Sequence, residues 1–262
     1  MKRARSLRGL CAAALFVVIS GNAIAEPLSL RYSATWGGGA AAEIRLLLDE
    51  DDGKFHNRLD IETVGLARLL SGFRASAISS GQADIDDVSP QAFSAVYDSH
   101  KKRDKHINLQ FVQLSDGSLA EKGPGNSSTD PPIAAEFRRD VIDPLTCITA
   151  VRRLIRERDI GKDKGFTLAV YDGKRRFDVE GSVASVDKVR WGKSSVEVLS
   201  LRLILRPIAG FEGNSDDGYS PDSNTREVRV SVTNDARAIP LRLSVPIAYV
   251  PAVVQLDRDT RL

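Results

Sequence analysis

Three histidines, two cysteines and scattered carboxylates are the groups through which this chain could do chemistry, and their spacing completes no known catalytic machinery. A zinc site wants close pairs such as H-x₃-H, or cysteine partners. His56 falls on the polar side of an alternating segment, and His100 and His106 bracket the charged run 101–105, so all three read as surface residues. A serine hydrolase needs a nucleophile on a sharp turn, and no G-x-S-x-G occurs; Ser71-Gly72 and Ser80-Gly81 read as ordinary turn or strand residues. Asp84, Asp86 and Asp87 form one acidic group, and Asp216, Asp217 and Asp222 another. Paired acids work as general acid and base only when a fold holds them about 5–10 Å apart, and calcium loops want D-x-D-x-D-G spacing. Both groups therefore read as solvated loops. The run Gly37-Gly38-Gly39 lies between strand-like segments rather than before a helix, so it reads as a hairpin and not as a phosphate cradle. Asn126-Ser127-Ser128 matches a glycosylation acceptor, a three-residue match that carries no function by itself. The sequence predicts no catalytic residue, no metal and no cofactor.

The elements that would position any site begin after a leader. Lys2, Arg3, Arg5 and Arg8 precede an apolar stretch over 10–19, and Ala23-Ile24-Ala25 is a small-x-small cleavage site, so residues 1–25 read as a signal peptide cleaved after Ala25. The stretch is too short for a permanent membrane span, which points to secretion. Removing 25 of 262 residues leaves 237, a size that suits one large β-domain over 26–262. Four basic residues leave with the leader, so the mature chain carries 33 basic against 35 acidic residues, a net charge of −2. Such a near-neutral surface argues against nucleic acid as a partner. Cys11 lies inside the leader and ahead of most of its apolar stretch, where no lipoprotein cysteine would sit. Cys147 is then alone in an oxidising compartment and reads as a small buried apolar residue. A nucleophile or intermolecular crosslinker would need a nearby base or a partner cysteine.

Period-two alternation dominates the mature chain. Leu28, Leu30, Tyr32, Ala34 and Trp36 alternate with Ser29, Arg31, Ser33 and Thr35; then Ile44, Leu46 and Leu48 with Glu43, Arg45 and Asp49. After the turn Asp51-Asp52-Gly53 come Phe55, Leu59, Ile61 and Thr63, set against His56, Arg58, Asp60 and Glu62. Polar outer faces on three successive strands predict an antiparallel meander. Leu66, Leu69 and Leu70 fit helical spacing and predict a short helix or apolar loop, followed by alternating segments at 73–83, 93–99 and 106–113. Residues 115–132 and 210–224 read as long polar loops. One clear helix opens with Asp143 as N-cap and Pro144 at the first helical position. Its apolar stripe is Leu145, Ile148, Val151, Leu154 and Ile155, and Arg152, Arg153, Arg156 and Arg158 crowd its end, where they suit the helix dipole and read as a solvated face. A phosphate or headgroup site is the alternative for those arginines. Strands return at 166–170, 177–183, 196–206, 228–233, 241–245 and 248–256, with no internal repeat and no composition shift to mark a second domain.

Several of these pieces together resemble the domain-of-unknown-function 3108 family of bacterial periplasmic proteins, over nearly all of 28–256. They are Leu30-Arg31-Tyr32 leading to Trp36-Gly37-Gly38, Asp143-Pro144-Leu145-Thr146, Tyr171-Asp172-Gly173-Lys174, and Val232-Thr233-Asn234-Asp235 with Ile239-Pro240-Leu241-Arg242. The resemblance implies a curved antiparallel sheet wrapping into an open barrel or β-spiral, similar to periplasmic lipoprotein carriers and envelope-integrity β-spiral proteins. It brings no catalytic residues with it. Around 66–73 the chain departs from the commoner pattern, in which many members carry more aromatics.

The expected fold is thus mainly β: a single-domain curved antiparallel sheet forming an open barrel or β-spiral, with one principal helix packed against it. An incompletely closed sheet leaves inward apolar residues that a helix, loop or ligand must cover. The expected function is non-enzymatic, the binding of a lipid, an acyl chain or a protein segment in support of the cell envelope. Trp36, Leu66, Leu69, Leu70, Phe73, Leu145 and Ile148 are the candidate cover or cavity lining. Three other readings stand beside it: a helix that plugs the barrel and leaves no cavity, an interaction or scaffold module that recruits an envelope protein by strand addition, and, weakest, an envelope hydrolase.

Overall fold

The computed structural model describes residues 26–84, 87–100, 105–116, 118–121, 133–211, 225–247 and 250–260. The expected leader, Asp86, Asn126, and Asp216, Asp217 and Asp222 lie outside them.

Among the described residues thirteen strands form one sheet. They are β1 (Leu28–Trp36), β2 (Gly39–Asp51), β3 (Lys54–Thr63), β4 (Arg74–Ala83), β5 (Val88–Asp98), β6 (Lys105–Gln113), β7 (Leu119–Glu121), β8 (Phe166–Tyr171), β9 (Arg176–Trp191), β10 (Ser194–Ala209), β11 (Arg226–Thr233), β12 (Pro240–Ile247) and β13 (Val250–Leu256). Two α-helices interrupt them, α1 (Gly65–Ser71) and α2 (Pro144–Arg156). The spatial order runs from β7 down to β1, then β13 down to β8, so every neighbouring pair is consecutive in sequence except β1 with β13. Every ladder is antiparallel, and the seam pairs Tyr32 with Leu256 and Trp36 with Ala252. The expectation of a mainly β open barrel with one principal helix holds.

The sheet does not close by strand pairing, because β7 and β8 are not neighbours. Four residues cross the gap between them. Arg139 bridges to Ala120 of β7 and Ile142 to Val170 of β8. The Asp140 amide donates to the Leu119 carbonyl at 2.8 Å, and on the other side Ile142 donates to Ala169 at 2.8 Å and accepts from Tyr171 at 2.9 Å. These bonds cover part of each facing edge, which shortens the unpaired rows that invite association.

Alternation holds wherever one face of a strand leaves water. Leu30, Tyr32, Leu46, Leu48, Leu241 and Leu256 form one buried cluster with Val198 and Ile239. A second gathers Phe93, Leu109, Phe111, Val141, Leu145 and Tyr171, and a third Ile155, Val183, Leu199, Leu201, Val232 and Ala238. Helix α2 contributes to all three, since Ile148 packs against the first two and Val151 and Ile155 belong to the third. It lies inside the barrel.

Two elements depart from the sequence reading. Strands β9 and β10 run 16 residues each instead of stopping near Val183 and starting at Val196. Most of 184–190 is exposed on both faces, so no alternation marks that half of the hairpin. The segment read as a polar loop from 115 contains β7, which starts after the Asp116 carboxylate accepts from the Ser118 amide at 3.0 Å. In β7 the Glu121 carboxylate pairs with Arg138 at 2.6 Å.

Candidate functional site

The closed end of the barrel is built from α2 outward. Asp143 caps the helix, its Oδ1 accepting from the Leu145 and Thr146 amides at 2.9 and 3.0 Å. Its Oδ2 accepts from the hydroxyls of Ser79 and Thr146 at 2.9 and 2.5 Å. One turn on, the Asn57 side-chain amide donates to Thr149 Oγ1 at 2.7 Å and to the Leu145 carbonyl at 3.4 Å. Burial nevertheless raises the Asp143 carboxyl above its ordinary value. Burial likewise drives the Cys147 thiol up to about 12, helped by the charge of Asp143, which makes it a poor nucleophile. Ser79, Asp143, Thr146 and Thr149 are fully buried, so this network fixes the plug and meets no substrate.

At the far end of α2, the arginines read as a solvated face are in large part interior, and that expectation is corrected. Arg152 and Arg153 are buried. Arg152 pairs with Glu50 of β2 and donates to the carbonyls of Arg237 and Ala238 at 2.8 and 3.3 Å. Arg153 donates to the Asp87 carbonyl at 2.7 Å and to Glu157 at 2.7 Å, while Arg156 takes the other Glu50 oxygen. The physical reason is that turns from both halves of the sheet converge on the last turn of α2 and present carbonyls to it, so guanidinium groups enter where ammonium or apolar groups would leave acceptors orphaned. A cleft of about 280 Å³ beside them is lined by Glu50, Asp51, Asp52, Asp84 and Glu157 against Lys54, Arg153 and Arg156. An acidic lining with committed guanidinium groups is no phosphate site.

At the other end the described residues leave the inward face partly uncovered. Connections β1–β2, β3–β4, β5–β6, β8–β9, β10–β11 and β12–β13 all join there, as the antiparallel registers require. The inward face changes row by row toward it. In the row at the level of α2, Tyr32, Leu256 and Leu241 are 6, 1 and 4% exposed. One row out, Val230, Leu243, Val254, Ala34 and Ala42, joined by register, are half-exposed. Outermost, Val245 and Ala252 are half-exposed and Trp36 is 53% exposed. Leu203, Leu205 and Leu168 on the opposite wall are half-exposed as well. The interior is therefore a polar-anchored plug at one end and an apolar mouth at the other.

The candidate residues divide accordingly. Leu145 is core, and Ile148 is partly buried between two clusters. Trp36 sits on the rim. Phe73 is half-buried, and its carbonyl accepts from the Thr63 amide and hydroxyl at 3.0 Å. Leu66, Leu69 and Leu70 do not cover the interior: they are 75, 74 and 81% exposed. Seven residues offer α1 one inner side, only partly buried at Ala67 and Ser71, and tethers at both ends fix which side that is: the Val64 amide donates to the Ala41 carbonyl at 2.9 Å, and the His100 amide to the Ser71 carbonyl at 2.8 Å. Glu50, Asn57, Ser79 and Thr149 were not singled out by sequence, and Thr146 only as part of the motif that opens the helix. Asn57 and Ser79 stand at inward parity among apolar residues, and that placement was the available signal.

Elsewhere the polar surface is laced by ion pairs. A cleft of about 400 Å³ on the outer face is lined by Glu43, Arg45, Arg58, Asp60, Glu62, Arg74, Ser76 and Asp98 among others. Arg58 holds the Asp60 carboxyl below its usual range through a 2.8 Å bond. Among the described residues no three His, Cys, Asp or Glu side chains gather to hold a metal ion. Nor is any described helix long and apolar enough to cross a membrane.

A long antiparallel sheet, not closed by strand pairing and rolled around a capped helix, defines a β-barrel-like protein. The chain belongs to the DUF3108 family, described as "Protein of unknown function", whose family model matches residues 31–257. No curated protein matches it. Among solved structures it is similar to a beta-barrel-like protein of the domain of unknown function DUF1849 from Brucella abortus, at 11% identity and a TM-score of 0.54, covering 88% of this chain and 95% of that one. A weaker match, to a candidate lipoprotein from Parabacteroides distasonis, has 7% identity and a TM-score of 0.33 over 87% and 92% of the two chains.

Proposed function

We propose that this is an exported, non-enzymatic protein of the bacterial cell envelope whose half-open barrel takes a lipid or acyl chain through the apolar mouth. The observation that carries the reading is one continuous inward apolar face that is buried at Tyr32 and Leu256, partly exposed at Val254 and Ala252, and exposed at Trp36. Helix α2 fills the barrel at one end only, and half-exposed aliphatic side chains at the other gain roughly 25 cal/mol for each Å² that a ligand removes from water. Concave, mostly apolar walls with few polar groups are what a chain-like ligand requires. Periplasmic location rests on the leader over 1–25.

The test is native mass spectrometry of the mature protein purified from periplasm, run beside lipid extraction. Trp191→Phe leaves Trp36 as the only tryptophan, and its fluorescence is then titrated with dibrominated stearic acid. A co-purifying lipid and bromine quenching of Trp36 are expected. A reproducibly empty protein whose Trp36 is not quenched overturns the proposal.

A further inference from the structure

An acyl ligand has two chemically different ends, and only one of them finds a match inside this barrel. The end of α2 nearer the mouth is its first turn: the adjoining Ile142 bridges to Val170 beside the β8–β9 connection, whereas the last turn meets the β4–β5 and β11–β12 connections. A helix N-terminus in a barrel ordinarily draws an anionic head group onto its free amides. In this first turn none is free. Pro144 has no N–H, the Leu145 and Thr146 amides donate to the Asp143 carboxylate at 2.9 and 3.0 Å, and the Cys147 amide donates to the Asp143 carbonyl at 3.0 Å.

The other polar groups at this depth are committed as well. Ser79, Thr146 and Thr149 are fully buried and hydrogen-bonded within the anchoring network, and the Tyr32 hydroxyl donates to the Pro240 carbonyl at 2.9 Å. Asn57 Oδ1, buried without a partner, is itself an acceptor and would repel a carboxylate or phosphate. Toward the mouth, by contrast, Thr63, Tyr97, Lys105 and Arg226 stand at inward parity beside the β3–β4, β5–β6 and β10–β11 connections. Between the two levels the inward positions of β1, β12 and β13 are apolar, with Ala34, Leu243, Val245, Ala252 and Val254 joined by register. From Tyr32 to Trp36 this wall spans four residues, about 13 Å at about 3.3 Å per residue. An extended hydrocarbon chain, with bonds of about 1.52 Å and angles of about 111°, covers that distance in about ten carbons.

We infer that the barrel takes its acyl chain methyl end first, buries about ten carbons of it between Trp36 and the level of Tyr32, and leaves the head group among the polar residues of the rim. The inference rests on the ligand reading of the same mouth and deepens it. Ligands are selected by tail and not by head group, so a free fatty acid and a lysophospholipid of equal chain are equivalent.

The test titrates the mature Trp191→Phe protein, whose remaining tryptophan is Trp36, with 2-bromododecanoate and with 12-bromododecanoate. Methyl-first entry puts the α-carbon at the rim and the far carbon at the floor, so the 2-bromo acid should quench Trp36 and the 12-bromo acid should not. Affinity for unbrominated acids should rise about fourfold per methylene up to about dodecanoate and then level off, and lysophosphatidylcholines of the same chains should run in parallel. Quenching by the 12-bromo acid alone, or equally by both, overturns the inference while leaving a ligand in the barrel. So does an affinity that climbs steadily to stearate, or binding of the acids without the lysophosphatidylcholines. Quenching by neither acid, in a protein that native mass spectrometry shows empty, sinks the ligand reading and this inference together.

Discussion

Replacing Asp143 by alanine removes the acceptor of four hydrogen bonds, two from amides and two from hydroxyls, at 2.5–3.0 Å. Loss of an N-cap costs about 0.5–2 kcal/mol. A buried hydroxyl left without a partner costs about 1–3 kcal/mol. Ser79 and Thr146 lie 3.0 Å apart and can satisfy one another in part, so one hydroxyl rather than two is orphaned. The sum is about 2–5 kcal/mol, and at about 2–4 °C per kcal/mol for a chain of this size the melting temperature should fall by roughly 10 °C. Asp143→Asn separates the cap from the charge. The folded-state carboxyl is raised above its ordinary 3.8, so the folded protein holds that proton more tightly than the unfolded chain. Its contribution is therefore fully present below that ordinary value and is lost as pH rises through the folded value. The asparagine variant, neutral throughout, should gain on the wild type in urea midpoint as the pH rises above the ordinary carboxyl value of 3.8. An offset that is constant with pH, or that moves the other way, would show that the four donors stabilise the carboxylate more than burial penalises it, and the reasoning would fail.

The charged clasp should behave as a buried pair. Glu50→Gln or Arg152→Met alone should cost about 3–5 kcal/mol by urea denaturation, and Glu50→Leu/Arg152→Met together less than the two singles combined. At pH 8 the Cys147 thiol, held at about 12, should be ionised in only about one molecule in 10⁴, so Ellman's reagent should react with the native protein far more slowly than with the protein in denaturant. Gly81→Ala would place a methyl 2.2 Å from the Ser89 carbonyl and 2.7 Å from the Phe55 ring, and should lower stability by about 1–3 kcal/mol or more. Gly192→Ala meets no atom in its turn and pays only for its positive φ, a much smaller loss on the same melting curve.

Alternation was enough to read the sheet because most of these strands have one wet face. Where both faces are wet, as over 184–190, the pattern lapses and the strand continues unseen. The plug was legible at its start, since Asp143-Pro144 is a local signal fixed by backbone donors. Its far end was not. Arg152 is buried by carbonyls at 237 and 238 and by Glu50, more than 80 residues away in either direction, and no helical wheel contains them. The leucines of α1 were legible as helical but not as exposed, because spacing defines a face without naming what it meets.

The seam between β1 and β13 bears on the order of assembly. Every other adjacent pairing in the sheet joins consecutive strands, yet Tyr32 must find Leu256, 224 positions later. Two meanders, β1 to β7 and β8 to β13, can each zip locally, but neither can join the other until the last strand is available. A chain emerging N-terminus first would thus form two half-sheets, and the step that turns them into one body would wait for β13. Loop closure over such a separation is slow. Truncation at Val250 should accordingly leave secondary structure largely in place while abolishing cooperative unfolding.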